Sequence, residues 1–356
     1  MKIPEMEKVE VFSSRLEDMV SIEAALSQNT VFVDVRSPKE FNESPIVGAI
    51  NLPLFTDAER AHIGTIYKQI SQGAAFDLGK RLVDSRLAKF VKGFQPFKEK
   101  LITIYCARGG MRSAAVVRLL SSLGFRVQQL AGGYKSYRKH VLQALKVQCP
   151  SPLIVIHGQT GVGKTRLLKK LPLSIDLEDL AQHRSSVFGA VNRQPRTQKD
   201  FEAHLYTEMR RFPSNQTLFI EGESRKIGDV LIPDSLFRQM KQGTMVLLKA
   251  SLETRVKRII EDYAIDGDQA IHKLRSALND LRVSLGHCKI DELCQCLDDR
   301  DYYTIVKTLL TEYYDPRYQH SMRNYTYALE ESAENLELAA GRFLTFQQNF
   351  KHSPLP

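Results

Sequence analysis

The chain has 356 residues, 43% of them hydrophobic and 26% charged, an ordinary globular balance in a length that exceeds one typical core. No apolar run approaches the roughly 20 residues that span a bilayer, and residues 1–10 lack the apolar segment of a secretory signal, so a cytoplasmic protein with no membrane partner is expected. A net charge of +9 favours an anionic partner, nucleic acid or small phosphorylated donors, without separating the two.

The first α/β segment, predicted as a domain over 12–145, begins with Val31-Phe32-Val33-Asp34-Val35, a β-branched and aromatic run that reads as a buried strand. Residues 57–95 form a long mixed stretch read as helical. Leu101-Ile102-Thr103-Ile104-Tyr105 is a second strand, ending directly on Cys106, and residues 113–123 carry apolar side chains at helical spacing with Gly124 as the cap. Between strand and helix lies Cys106-Ala107-Arg108-Gly109-Gly110-Met111-Arg112-Ser113. A thiol here sees a helix N-terminus and two arginines, which lower its pKa toward the reactive thiolate. Gly109 and Gly110 allow the tight ring of N–H donors that an anionic sulfur or phosphorus group requires. Cys106, Arg108 and Arg112 are the candidate catalytic residues.

Cys149-Pro150-Ser151-Pro152 disfavours a continuous helix and marks a linker. A second α/β domain is predicted over 151–300, with a C-terminal helical extension over 301–356. Leu153-Ile154-Val155-Ile156 is a strand running into Gly158-Gln159-Thr160-Gly161-Val162-Gly163-Lys164-Thr165, a complete G-x-x-x-x-G-K-[ST] phosphate loop, with a helical pattern over 166–170. Gly158, Gly161 and Gly163 let the backbone wrap a phosphate, Lys164 supplies positive charge, and the Thr165 hydroxyl is placed for Mg²⁺ should a metal be used. Thr217-Leu218-Phe219-Ile220 is a strand ending on Glu221; Glu221 and Glu223 are candidates for the acidic partner of such a loop, and Arg225 beside them completes the phosphate-binding set. The loop implies phosphate or diphosphate binding and does not by itself imply ATP hydrolysis.

Met245-Val246-Leu247-Leu248 is a third strand, followed by a basic helix over 251–260. From about Asp262 the pattern is mainly helical, with Tyr302, Tyr303, Tyr313, Tyr314, Tyr318, Tyr325 and Tyr327 able to stack on bases or to fill a core. Five cysteines make no disulfide framework. The spacing of His287, Cys288, Cys294 and Cys296 does not match paired zinc knuckles, so no metal site is assigned there.

Asp34-Val35-Arg36-Ser37-Pro38-Lys39-Glu40-Phe41, Gly48-Ala49-Ile50-Asn51-Leu52-Pro53 and Leu130-Ala131-Gly132-Gly133-Tyr134 resemble the opening and closing motifs of the rhodanese family, which carries sulfur as a persulfide on the loop cysteine. The loop here is one residue longer than usual. Its C-x5-R length also occurs in phosphatases with a cysteine nucleophile, and spacing alone leaves that chemistry open; the surrounding rhodanese motifs disfavour it.

Rhodanese-like and P-loop segments in one chain resemble the bacterial tRNA 2-selenouridine synthase family, over about residues 32–318. The likeness is carried by Tyr105-Cys106 with 108–113, by 157–165, and by Asp176-Leu177-Glu178 with His183-Arg184, Ser186 and Phe188-Gly189. It continues in Phe201-Glu202, in 221–228 with Ile232-Pro233, and in Tyr314-Asp315-Pro316-Arg317-Tyr318. Ala107 departs from the aromatic, typically Trp, that follows the family's cysteine, and the chain has no Trp. The resemblance implies exchange of the sulfur of a wobble 2-thiouridine in tRNA for selenium from selenophosphate, with S-geranylation from geranyl diphosphate as an intermediate step. A selenophosphate-producing enzyme is then a candidate partner. Two rivals stand beside it: a P-loop small-molecule kinase with a regulatory rhodanese domain, in which Arg255, Lys257 and Arg258 clamp phosphate, and a persulfide carrier acting on tRNA.

Overall fold

The computed structural model describes residues 18–184, 193–214, 216–263, 268–322 and 325–350. Residues 1–10, Ser186, Phe188-Gly189 and the first residues of the expected 12–145 domain lie outside them. The chain divides into two units between Ala144 and Leu145.

The first unit runs β1 (Met19–Val20), α1 (Ile22–Ser27), β2 (Thr30–Asp34), α2 (Pro38–Glu43) and β3 (Ile50–Asn51). Three helices follow, α3 (Asp57–Gln69), α4 (Gln72–Asp84) and α5 (Leu87–Lys92), then β4 (Leu101–Tyr105), α6 (Met111–Ser122), β5 (Val127–Leu130) and α7 (Gly133–Ala144). The strands form one parallel sheet in the order β1-β5-β4-β2-β3. Its central strand, β4, is buried on both faces, which is why Ile102 to Tyr105 read as a continuous rather than alternating run. Val33, Ile102, Ile104, Val117 and Leu120 form the centre of the core.

The second unit begins with β6 (Leu153–His157), α8 (Lys164–Leu168), β7 (Ser174–Ile175), α9 (Leu177–Ala181), α10 (Gln198–Met209) and β8 (Leu218–Glu221). A two-stranded antiparallel pair, β9 (Lys226–Ile227) and β10 (Val230–Leu231), leads to α11 (Asp234–Gln242), β11 (Thr244–Lys249) and α12 (Leu252–Tyr263). Helices α13 (Asp268–Asp280), α14 (Arg282–Leu285), α15 (His287–Asp298) and α16 (Tyr302–Thr308) follow, then a π-helical turn (Leu309–Tyr314), α17 (Asp315–Met322), β12 (Leu329–Ser332) and α18 (Leu336–Phe350). Its main sheet is also parallel, ordered β12-β11-β6-β8-β7. The neighbours of β6 connect in opposite directions, so the loop after β6 opens into the crevice where the winding reverses.

One expectation is corrected. The C-terminal segment 301–356 is not a separate helical extension: β12 pairs with β11, and Ala339 and Phe343 of α18 enter the core of the sheet. The helices read from about Asp262 pack with α12 as one cluster that crosses the expected boundary at 300, with Val256, Leu278, Ile290, Leu293 and Ile305 buried together. The cysteines of α15 serve that cluster, with Cys294 and Cys296 packed against it and Cys288 exposed. No helix among the described residues is long and apolar enough to cross a membrane.

Candidate active sites

In the first unit, β4 delivers Cys106 to the N-terminus of α6, and the thiol is almost fully buried. The loop is held by backbone and by one side chain. The N–H of Tyr134 donates to the carbonyl of Cys106 and that of Lys135 to Ala107, at 2.9 and 3.0 Å. Gln129, buried in β5, donates to Gly109 O at 2.7 Å and to Ser113 Oγ at 2.9 Å. Gly133, at φ +58°, passes so close that a Cβ would stand 2.3 Å from Cys106 O, so the closing Gly132-Gly133 pair is required for packing as well as turning. The opening motif makes a buried brace nearby. Arg36 pairs with Asp34 at 2.7 Å, and its guanidinium stacks over the Tyr134 ring at 4.2 Å.

Burial would push the Cys106 thiol up, yet its pKa is lowered. The Arg112 charge, Ser113 Oγ at 3.3 Å from Sγ, and the N–H groups of Arg108 and Ser113 outweigh desolvation. Arg112 does not point freely into the loop: it donates to Glu40 of α2 at 2.9 Å. Burial raises the Glu40 carboxyl, but its bonds to Arg112 and the Ser37 N–H win and hold it down at about 2. Arg108 contributes its backbone N–H while its side chain is exposed to solvent. The site is a ring around a buried thiol of lowered pKa, with one cation fixed at its edge.

In the second unit, the phosphate loop joins β6 to α8 with Gly161 and Gly163 both at positive φ, +79° and +97°. Lys164 is buried, and its Nζ donates to Gly158 O at 3.0 Å and lies 3.9 Å from Glu223. Burial would depress that ammonium, but Tyr318, Glu223, Glu221 and Glu178 hold its pKa well above the ordinary value. Two buried arginines from α12 support the loop. Arg255 donates to Thr160 O at 2.8 Å and to both carboxylate oxygens of Asp315, while Arg258 donates to Val162 O at 2.7 Å. They brace backbone carbonyls and do not clamp phosphate; Lys257 is exposed. That corrects the role a kinase reading gave them.

The acidic partner is larger than expected. Ser174 and Ile175 pair with Phe219 and Ile220, so Asp176, just past β7, and Glu221, the last residue of β8, extend that parallel register side by side. Glu178, Glu221 and Glu223 bring carboxylate oxygens within 4.8 Å of one another. Among the described residues, Glu221 Oε2 and Asp176 Oδ2 have no hydrogen-bond partner. Burial, Glu178 and Glu223 push the Glu221 carboxyl well up, and burial with neighbouring carboxylates raises Asp176 to about 6. Glu178 was quoted in the sequence without a role, because only the β7–β8 register puts it beside Glu221.

Glu178 and Glu221 join Lys164, Thr165 and Tyr318 around the phosphate cradle. Tyr318 also walls a second cavity, of about 570 Å³, together with His157, Gly158, Glu223 and Tyr325. The π-helical turn aims Tyr313 and Tyr314 into this cavity, and Phe237, Met240 and Met245 give it an apolar side. His157 stacks on Tyr325 with ring centroids 4.7 Å apart; burial and the Lys164 charge lower its pKa to about 4, so the ring is neutral. Arg225 is corrected: it lines this cavity, half exposed and paired with Asp234, and not the phosphate cradle.

Comparison with known proteins gives one consistent picture. The family model described as the tRNA 2-selenouridine synthase AAA domain matches residues 151–340, and the rhodanese-like domain model matches residues 19–140. A tRNA 2-selenouridine synthase of Hydrogenovibrio crunogenus is 38% identical over 335 residues, covering 85% of this chain and 91% of its own. Proteins of the same name from Salmonella schwarzengrund and Hahella chejuensis are each 34% identical, covering 90% and 85% of this chain and 96% and 86% of their own.

Proposed function

The chain belongs to the tRNA 2-selenouridine synthase family, and from that premise we propose that it replaces the sulfur of a wobble 2-thiouridine in tRNA with selenium, in two steps divided between its two loops. In the first, the P-loop holds the diphosphate of geranyl diphosphate. The thiocarbonyl sulfur attacks the allylic carbon; a C–S bond forms, the C–O bond breaks with its electron pair on diphosphate, and the base loses its N3 proton. In the second, the Cys106 ring receives selenophosphate, supplied by a selenophosphate-producing enzyme. Selenium attacks C2, the C2–S bond breaks, geranylthiolate leaves, the phosphoryl group passes to water, and N3 takes back a proton from that water. Alkylation makes sulfur the better leaving group, which is the chemical reason for the order.

The observation that carries the reading is Tyr318, which walls both the phosphate cradle and the aromatic cavity. A diphosphate at Lys164 would thus have its organic part against a surface of tyrosines, a neutral His157 and methionines. Such a lining suits a prenyl chain and a base stacked out of its strand. The volume lies within the roughly 300–1,000 Å³ of small-molecule sites.

Mg²⁺ fits the residues present. Thr165, Glu178, Glu221 and Glu223 offer only oxygen donors, and the orphaned, buried Glu221 Oε2 is a ligand atom without a partner. Bound there, the ion would neutralise the departing diphosphate. Lys164 and the loop N–H groups would orient that group, while burial and neighbouring carboxylates raise the Glu221 carboxyl, so a cation bound there would displace its proton.

Nucleoside mass spectrometry of thiolated tRNA incubated with both donors tests the reading. Wild type should yield 2-selenouridine, and Cys106→Ser should stop at S-geranyl-2-thiouridine. Unmodified thiouridine from the wild-type protein would reject the assignment.

A further inference from the structure

The first unit contains an apolar groove that the thiol ring does not use. Its volume is about 140 Å³, and its walls are almost wholly apolar, so it suits a slender hydrocarbon chain and not a base that must hydrogen-bond. It is walled by Phe55, by Ile63 of α3, by Gly79 of α4, and by Met111, Ala115 and Leu119 along one face of α6. The helices between β3 and β4 create it. Gly79 lets α4 approach Phe55, where a Cβ would stand 3.1 Å from the ring tip.

Two observations tie the groove to the reacting thiol. Gly110, the last residue of the Cys106 loop, caps the helix whose first turn, Met111 and Arg112, forms one end of the groove. Arg112 also belongs to both places: it lines the groove and stabilises the Cys106 thiolate. Water is poorly held in a slot with almost no polar partners. The occupant that fits is therefore an apolar chain attached to whatever reacts at Cys106.

We infer that this groove binds the prenyl chain of S-alkylated 2-thiouridine during selenation and retains it as the thiol leaves. The inference rests on the alkylated intermediate proposed above. It adds a second prenyl site, in the first unit, whose purpose is to recognise the intermediate and to keep an apolar leaving group out of water.

The experiment compares selenation of tRNA carrying S-geranyl- and S-methyl-2-thiouridine by the full chain, as wild type, Ala115→Phe, which fills the groove, and Leu119→Asp, which places a charge in it. Wild type should prefer the geranyl substrate in kcat/KM by at least about tenfold, the increment expected from burying only a few methylenes. Both variants should lose that preference while using the S-methyl substrate at the wild-type rate, which also reports that they are folded. Geranylthiol should inhibit wild type and not the variants. If wild type uses neither alkylated tRNA, the alkylated intermediate is wrong and the groove proposal falls with it. If wild type uses the geranyl substrate and both variants keep its preference, the groove proposal alone is overturned. Loss of both substrates in both variants would also overturn it, since the groove would then be structural.

Discussion

The two loops of this chain use one backbone device, a strand that stops on an anion-binding turn at a helix N-terminus, yet they are held and charged in different ways. The Cys106 loop is fixed by backbone laid against backbone, with Gly133 too close to Cys106 to carry a side chain and one neutral side chain, Gln129, on Gly109 O. The phosphate loop is fixed by side chains, Arg255 and Arg258 reaching its carbonyls from α12. Around the thiol the balance favours the anion on the protein itself, through Arg112 and N–H donors. Around Lys164 three acidic side chains face the cation, and the proposed divalent ion would offset their repulsion of an anionic ligand. On the proposed reading, one fold of loop serves a nucleophilic chalcogen in one place and a leaving diphosphate in the other, and the neighbours decide which.

The difference in how the loops are held can be broken selectively. Gly133→Ala has the largest expected effect. It forces a residue at positive φ into a backbone clash and should cost roughly 4 kcal/mol, seen as a lowered denaturation midpoint for the first unit. Phosphate-loop ligand binding should survive it. Arg255→Met comes next: it leaves Asp315 without its buried partner and should cost roughly 3 kcal/mol in the second unit, with weakened diphosphate binding by calorimetry and unchanged Cys106 reactivity. The smallest effect concerns charge. A thiol whose folded pKa is depressed contributes stability above its unfolded pKa and loses it as pH falls through the folded value. Iodoacetamide labelling of Cys106 should therefore inflect below the ordinary thiol range. Arg112→Met should move the inflection upward and slow labelling at neutral pH.

Much of this was legible in the sequence because both loops are contiguous. Cys106 to Ser113 and Gly158 to Thr165 carry their chemistry in single runs, flanked by strands whose burial on both faces leaves no ambiguity of period. What was hidden depends on distant segments. Glu178 reaches Glu221 only through the β7–β8 register. Arg255 reads as a phosphate clamp until Thr160 and Asp315 take its hydrogen bonds. The strand at Leu329-Glu330-Glu331-Ser332 has the charges of a loop; as an edge strand it tolerates them, and Lys249 pairs with Glu330 across the ladder. The groove beside α6 is invisible in any motif, since it is made of the space between helices.

The central claim is that alkylation and selenation are carried by different loops. Lys164→Ala should be given tRNA already S-geranylated, together with selenophosphate, and assayed for 2-selenouridine by mass spectrometry. The account predicts selenation close to the wild-type rate, while the same variant geranylates thiolated tRNA roughly a hundredfold more slowly or worse, as expected for a lost phosphate-clamping cation. Abolished selenation of the pre-geranylated tRNA, with geranylation intact, would contradict it.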